Sequence, residues 1–371
     1  MMKLFAACFV LVFLVNVARV AECRKVAGGD VSTQRRHQHR HRHSPPPPPP
    51  KRSYKLFVFG DDFADNGNGP SDIGLGFGSR AWRFPFGMSD RQHDRKATGR
   101  YSDGLVQSDF LAKIMGHAES PPPYMSDNWD DGIDASGLNF AIGEAGALEV
   151  PSGVLKLGAQ VQQLRDLVRD GLVDDRDFEE SVALVAYSGN DYASATMDNL
   201  DDLVTKVSEE LGNVVSQLLD LGVTKVLVNT VPPFGCSPWM ARHNNYSSCD
   251  DDANVSSDRH NKATRDRLAD EEDVMLLDVN SIITDLVAPK EGSALYSKQF
   301  TERLRPCCEA DDDGDGGSYC GLDQHFYLCD HPEEFFFWDV IHPTHAGWRA
   351  VMQLLQGPIM AFLGISNLEH L

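Results

Sequence analysis

Basic side chains are scarce over most of this sequence. From Tyr54 onward, 24 lysines and arginines stand against 53 aspartates and glutamates, within a formal net charge of −21 for the whole chain. A surface of that sign repels phosphate backbones, which argues against nucleic-acid binding. A membrane-spanning run is also missing near the N-terminus: the apolar stretch from Leu4 to Val17 has about 14 residues against the ~20 a spanning helix needs. No CxxC pair is present and Cys307 directly precedes Cys308, an arrangement unlike a zinc cluster. The GLGFG run at 74 to 78 lacks the GxGxxG spacing and follows no strand, so dinucleotide binding has no support. Asp311, Asp313 and Asp315 imitate the start of a calcium loop, but its twelfth position is Leu322, which cannot ligate. No internal repeat is visible, and neither a metal nor a cofactor is expected.

What is present begins with export. Lys3, the short apolar run and small residues near Ala21 and Cys23 have the form of a secretory signal over residues 1–23. The stretch RRHQHRHRHSPPPPPPKR then gives residues 24–53 the composition of an extended, basic linker, with a histidine-rich metal tract as the competing reading. Of eight cysteines, Cys236, Cys249, Cys307, Cys308, Cys320 and Cys329 lie beyond the signal, and in an oxidising compartment they suggest three disulfides of undetermined pairing. Asn245 and Asn254 head Asn-x-Ser glycosylation motifs in a polar stretch that reads as a surface loop. The expected location is extracellular, as a monomer.

From 54 to 371 the pattern alternates strands with helices. LFVFG at 56–60, SVALVAY at 181–187 and the strand around Val226 to Asn229 are short apolar runs closed by turn residues. Between them, Leu203, Val204, Val207, Leu211, Val214, Val215 and Leu218 recur at helical spacing up to Gly222, and Thr344 to Leu363 reads as an apolar helix containing Pro358. Such alternation predicts an α/β fold: a mostly parallel sheet covered on both faces, with ligands at the carboxyl ends of the strands.

Four turns carry polar groups suited to one site: GDD at 60–62, which reads as a strand-to-helix turn, GLNFAIGEAGAL at 137–148, SGND at 188–191, and FFFWDVIHPTHAGW around Asp339 and His342. A carboxylate beside a histidine orients the ring and stabilises its charged form, while glycine N–H groups and Asn190 can donate to an oxyanion. Together these are the parts of an acyl-transfer site. His345 reads as capping or surface rather than a metal ligand, and Phe335 to Trp338 as core.

Taken in order, FVFGDDFADNGN, TGRYSDGLVQSDF, GLNFAIGEAGAL, YSGNDY, VNTVPPFGCSP and FWDVIHPT resemble the blocks of plant-type GDSL esterases/lipases of the SGNH hydrolase superfamily. The resemblance runs from about Tyr54 to Leu363. It implies a three-layer flavodoxin-like fold and hydrolysis of carboxylic esters of lipids, small acyl compounds or acetylated cell-wall polysaccharide. By the same resemblance Asp339 and His342 are the acid and base, Asn190 is an oxyanion donor, and the oxyanion glycine falls at Gly143 or one residue later, where this chain has Glu144. The family's serine nucleophile falls on Asp62, and Ser188 replaces the first glycine of the GxND block.

Asp62 divides the chemistry. A carboxylate attacking an ester carbonyl would form an anhydride while expelling an alkoxide, an uphill step. Three readings follow: Asp62 or His342 activates a water; Asp62 attacks an sp³ carbon such as that of an epoxide; or the cleft binds acylated ligands without turnover. A buried Asp62 near Asp339 is further expected to raise one carboxyl pKa and to hold His342 charged.

Overall fold

The computed structural model describes residues 54–71, 73–126, 132–148, 154–290, 299–310, 319–321 and 326–366. The expected signal, the linker and the acidic loop at Asp311 to Asp315 lie outside the described residues. A five-stranded parallel sheet forms the centre, built from β1 (Lys55–Gly60), β2 (Gly137–Asn139), β3 (Ser181–Ala186), β4 (Lys225–Asn229) and β5 (Val274–Leu277) in the order β2-β1-β3-β4-β5. The expected α/β three-layer fold is thus present, with the strand order of flavodoxin-like folds.

The strands read as continuous apolar runs because both faces are covered. Along β1, Leu56 and Val58 point into a core with the Gln107–Ile114 and His345–Leu363 helices, while Phe57 and Phe59 point into a second core with the Leu157–Arg169 and Leu200–Asp220 helices. Leu200–Asp220 buries Val204, Val207, Leu211, Val214, Val215 and Leu218, the residues whose spacing predicts it. It stops before Gly222, whose φ of +106° belongs to the left-handed region that glycine enters freely.

Two expectations about local structure do not hold. After β1 the chain makes one helical turn, with the N–H groups of Ala64 and Asp65 bonded to the Asp61 carbonyl, and no helix follows directly. The Asp65 side chain takes the N–H groups of Gly67 and Asn68 instead, turning the chain aside. Asn254 lies in the Asp251–Arg267 helix rather than a loop, because Asp250 caps that helix through the N–H of Ala253. Its Oδ1 accepts the Gly235 N–H at 2.8 Å, whereas Asn245 is exposed.

The segment carrying Asp339 and His342 is fastened outside the main sheet. Glu302–Pro306 pairs in parallel with Phe335–Phe337, and the N–H groups of Cys307 and Cys308 continue the ladder to the carbonyls of Phe337 and Trp338. Three disulfides form, Cys236–Cys249, Cys307–Cys329 and Cys308–Cys320, so the adjacent cysteines anchor two different loops beside this segment. Trp338 is fully buried, as expected for core. Among the described residues no helix is long and apolar enough to cross a membrane.

Candidate active site

Polar residues gather where β1 and β3 end side by side, the point at which the chain switches from one side of the sheet to the other. Gly60 closes β1 with φ +144°, and a Cβ there would stand 2.3 Å from the Ala186 carbonyl oxygen, so only glycine lets the strand ends approach this closely. Asp61 crosses the gap: its Oδ2 accepts the Ser188 N–H at 2.6 Å. Burial, then the neighbouring Asp62 charge, push its pKa well above the ordinary carboxyl value. Asp61 is thus one raised carboxyl of the site, whereas Asp62 and Asp339 are both lowered, so the expectation that one of that pair would be raised fails.

Asp62 projects from the same turn, 6% exposed. Its Oδ2 is 2.5 Å from Nε2 of His342, whose Nδ1 is 2.7 Å from Oδ1 and 2.9 Å from Oδ2 of Asp339. Asp339 Oδ1 also accepts the N–H groups of Ile341 and His342, so one carboxylate shapes the loop and aims the ring. Phe63 packs edge-on against Trp348 at 4.9 Å and faces the His342 ring at 6.3 Å, fixing the backbone next to Asp62.

The imidazole therefore lies between two carboxylates. Burial alone would lower the His342 pKa, but Asp339 and Asp62 outweigh it and raise the value to about 9. Burial in turn opposes ionisation of both acids, yet the hydrogen bonds and charge of His342 hold each below its ordinary value. At neutral pH the chain of three is carboxylate, imidazolium, carboxylate, as expected of His342. Such a ring holds a proton to give and has no lone pair to take one.

Asp62 Oδ1 meets the groups expected as oxyanion donors. It accepts the backbone N–H of Glu144 at 3.1 Å and stands 3.3 Å from Asn190 Nδ2, which also reaches the Ala145 carbonyl at 2.9 Å. Asp191 holds these two turns together by accepting the N–H groups of Ala147 and Leu148. Of the expected site residues, Asp62, Asn190, Asp339 and His342 converge. Gly143 does not donate here: its N–H is committed to Asp65 Oδ2 at 2.8 Å, and a Cβ on it would lie 2.5 Å from the Tyr101 ring. It acts by being small, and the backbone donor is one residue later. Glu144 presents that donor with φ +67°, a conformation that favours glycine over a residue with a Cβ.

Sequence reasoning missed three contributors. Arg80 is buried, lies over the Tyr101 ring at 4.7 Å, and its guanidinium stands 3.6 Å from the Glu144 carboxylate. Tyr101 in turn packs 5.2 Å from the His342 ring. Asp65 fastens the Gly143 turn to the Asp62 turn; burial raises its pKa to about 6 against the N–H groups of Gly67, Gly143 and Asn68. Tyr101 and Asp65 lie inside the quoted blocks, which offered a signal; Arg80 lies in none, and offered nothing. His345 Nδ1 accepts the Leu105 N–H at 3.1 Å. No cluster of His, Cys, Asp or Glu among the described residues is arranged to hold a metal.

The GDSL-like Lipase/Acylhydrolase family model matches residues 56–355. GDSL esterase/lipase At5g03600 of Arabidopsis thaliana is 34% identical over 83% of this chain and 95% of its own length. GDSL esterase/lipase At5g03610 of the same plant is 32% identical over 84% and 88%. A solved mutant of Axe2, an acetyl-xylooligosaccharide esterase from Geobacillus Stearmophilus, superposes with a TM-score of 0.37 at 13% identity, covering 86% of this chain and all of that one. The family resemblance makes the protein a carboxylic ester hydrolase. With the model spanning most of the chain and relatives above 30% identity along nearly their whole length, the chain belongs to the GDSL-like lipase/acylhydrolase family.

Proposed function

We propose that the protein is a secreted, monomeric hydrolase of the apoplast or cell wall that cleaves esters of lipids, small acyl compounds or acetylated polysaccharide, with water in the role of the missing serine. The observation that carries this reading is the unbroken chain from Asp339 through His342 to Asp62, with two donors at the Asp62 carboxylate. Three disulfides fit an oxidising compartment.

In this mechanism the substrate carbonyl oxygen displaces Asp62 Oδ1 from the N–H of Glu144 and from Asn190. Asp62 takes a proton from water as that water attacks the acyl carbon. His342, charged at rest, gives its proton to the departing alkoxide, and the proton on Asp62 then returns to the ring. The cycle balances without a covalent intermediate. It is slow, because a carboxyl held below its ordinary pKa is a weak base.

A second reading is favoured by Oδ1 itself: it occupies the position an ester carbonyl needs, so acylated ligands could be bound without turnover. To decide, the purified protein is assayed on short-chain aryl esters beside Asp62→Ser, Asp339→Asn and His342→Ala. Turnover by the wild type that falls in the last two supports the hydrolase. An inert wild type beside an active Asp62→Ser sinks that reading and leaves the binding protein; turnover indifferent to Asp339 and His342 refutes the site.

A further inference from the structure

We infer that Asp62 attacks saturated carbon, and that the protein hydrolyses epoxides to vicinal diols through an alkyl ester formed on the Asp62 carboxylate. This second activity uses the same centre and goes beyond ester cleavage.

The two oxygens of Asp62 are held differently, and each in the way this reaction requires. Oδ2 lies 2.5 Å from Nε2 of His342, and Oδ1 faces the Glu144 N–H and the Asn190 amide at 3.1 and 3.3 Å. An ester substrate competes with Oδ1 for those donors. An epoxide has no carbonyl and makes no demand on them in the first step. What it does require is an acid, because its ring oxygen leaves as an alkoxide. The group in contact with Oδ2 is the ring that Asp339 holds from the other side.

In the first step Oδ2 forms a bond to one ring carbon while the bond from that carbon to the epoxide oxygen breaks. The oxygen takes the proton from His342 Nε2. The products are a neutral imidazole and a hydroxyalkyl ester of Asp62. Esterification also removes the Asp62 charge, one of the two that favour the imidazolium, so His342 now has a lone pair and reason to keep it until water arrives. Water then adds to Cγ of Asp62 and its proton passes to His342. Negative charge develops on Oδ1, which already faces both donors. Collapse breaks the bond from Cγ to Oδ2, the departing alkoxide takes the His342 proton, and the new carboxyl proton moves to the ring. Carboxylate and imidazolium are restored, and the sum is epoxide plus water to diol. No oxidant, metal or cofactor enters.

The geometry also separates this route from direct attack of water on the epoxide. In the alkyl ester route the oxygen delivered to the first diol molecule is Oδ2 of the protein. The test is therefore a single turnover of the full-length protein, in excess over a medium-chain terminal epoxide, in water enriched in ¹⁸O. Mass spectrometry follows the diol and the peptide containing Asp62. The expected result is an unlabelled diol with ¹⁸O incorporated at Asp62. Label in the first-turnover diol, or no diol above that formed with Asp62→Asn, overturns the proposal.

A second measurement carries its own control for folding, the gain of ester hydrolysis. Asp62→Ser is assayed on the epoxide and on an aryl ester together. Loss of diol formation to background with gain of ester hydrolysis supports Asp62 as the nucleophile toward carbon. Diol formation that persists in this variant overturns it. An ester-inert wild type that still forms unlabelled diol leaves this inference standing while the proposed ester hydrolysis fails, so the two are distinguishable. His342→Gln should slow diol formation by ~10²-fold or more, the usual contribution of a positioned acid.

Discussion

Asp62 Oδ2 lies 2.5 Å from His342 Nε2, the reach at which a nucleophile and its histidine partner interact. A carboxylate at that distance is an anion, where a hydroxyl would be neutral. The ring therefore gains a second counter-charge and loses its role as a resting base. Each of the following outcomes depends on that replacement or on the turns that frame it.

Asp62→Ser empties the oxyanion position and returns a neutral partner to His342. Ester turnover should rise by ~10³-fold or more, since intact triads exceed disabled ones by at least that factor. Initial rates on an aryl ester, wild type against variant, measure it.

His342 should titrate near 9 in the folded protein, seen as a charged ring by NMR at neutral pH. Asp62→Asn should move it down. The sign for stability follows: a raised histidine stabilises fully below its unfolded value near 6.5, and this contribution fades as pH climbs through about 9. Asp62 and Asp339, both lowered, contribute above their unfolded values near 3.8 and lose this as pH falls. Unfolding of wild type and His342→Gln across pH should therefore converge at high pH.

Glu144→Gly should stabilise the fold by about 1 kcal/mol, because φ +67° suits glycine and strains a residue with a Cβ. The N–H donor remains, so Asp62 keeps its partner. Gly143→Ala should act in the opposite direction, by ~1–3 kcal/mol, since its Cβ would meet Tyr101 at 2.5 Å. Denaturant unfolding of both variants tests the pair.

Removing the Cys307–Cys329 bridge with two serines should cost ~2–4 kcal/mol, as expected for a loop of this size. Activity should fall along with stability, because the ladder through Cys307 and Cys308 holds the strand that leads into Asp339. Melting temperature and ester rate, measured together, report both effects.

Much of this architecture is legible in the chain. Apolar runs closed by turn residues give β1, β3 and β4, and helical spacing gives Leu200–Asp220 and His345–Leu363, because period and punctuation are local properties. Asp62, Asn190, Asp339 and His342 are visible as polar residues in turns after strands. The turn after β1 and the state of Asn254 are misread, since in both a side chain, Asp65 or Asp250, decides where the backbone goes. Arg80 is invisible because no pattern marks a cation that packs on a tyrosine from another turn.

The sequence by itself determined the alternation of strands and helices and the resemblance to the family, and it put Asp62 where that resemblance implies a serine, since period, punctuation and block order are local properties. Only the tertiary structure decided what that aspartate touches. Its two oxygens find different partners, His342 from residues 280 positions away and donors from the turns at Glu144 and Asn190, and contacts at that separation exist only once the sheet has brought the turns together. The same assembly set the charge on His342, because an imidazole becomes an imidazolium through the carboxylates that fold around it.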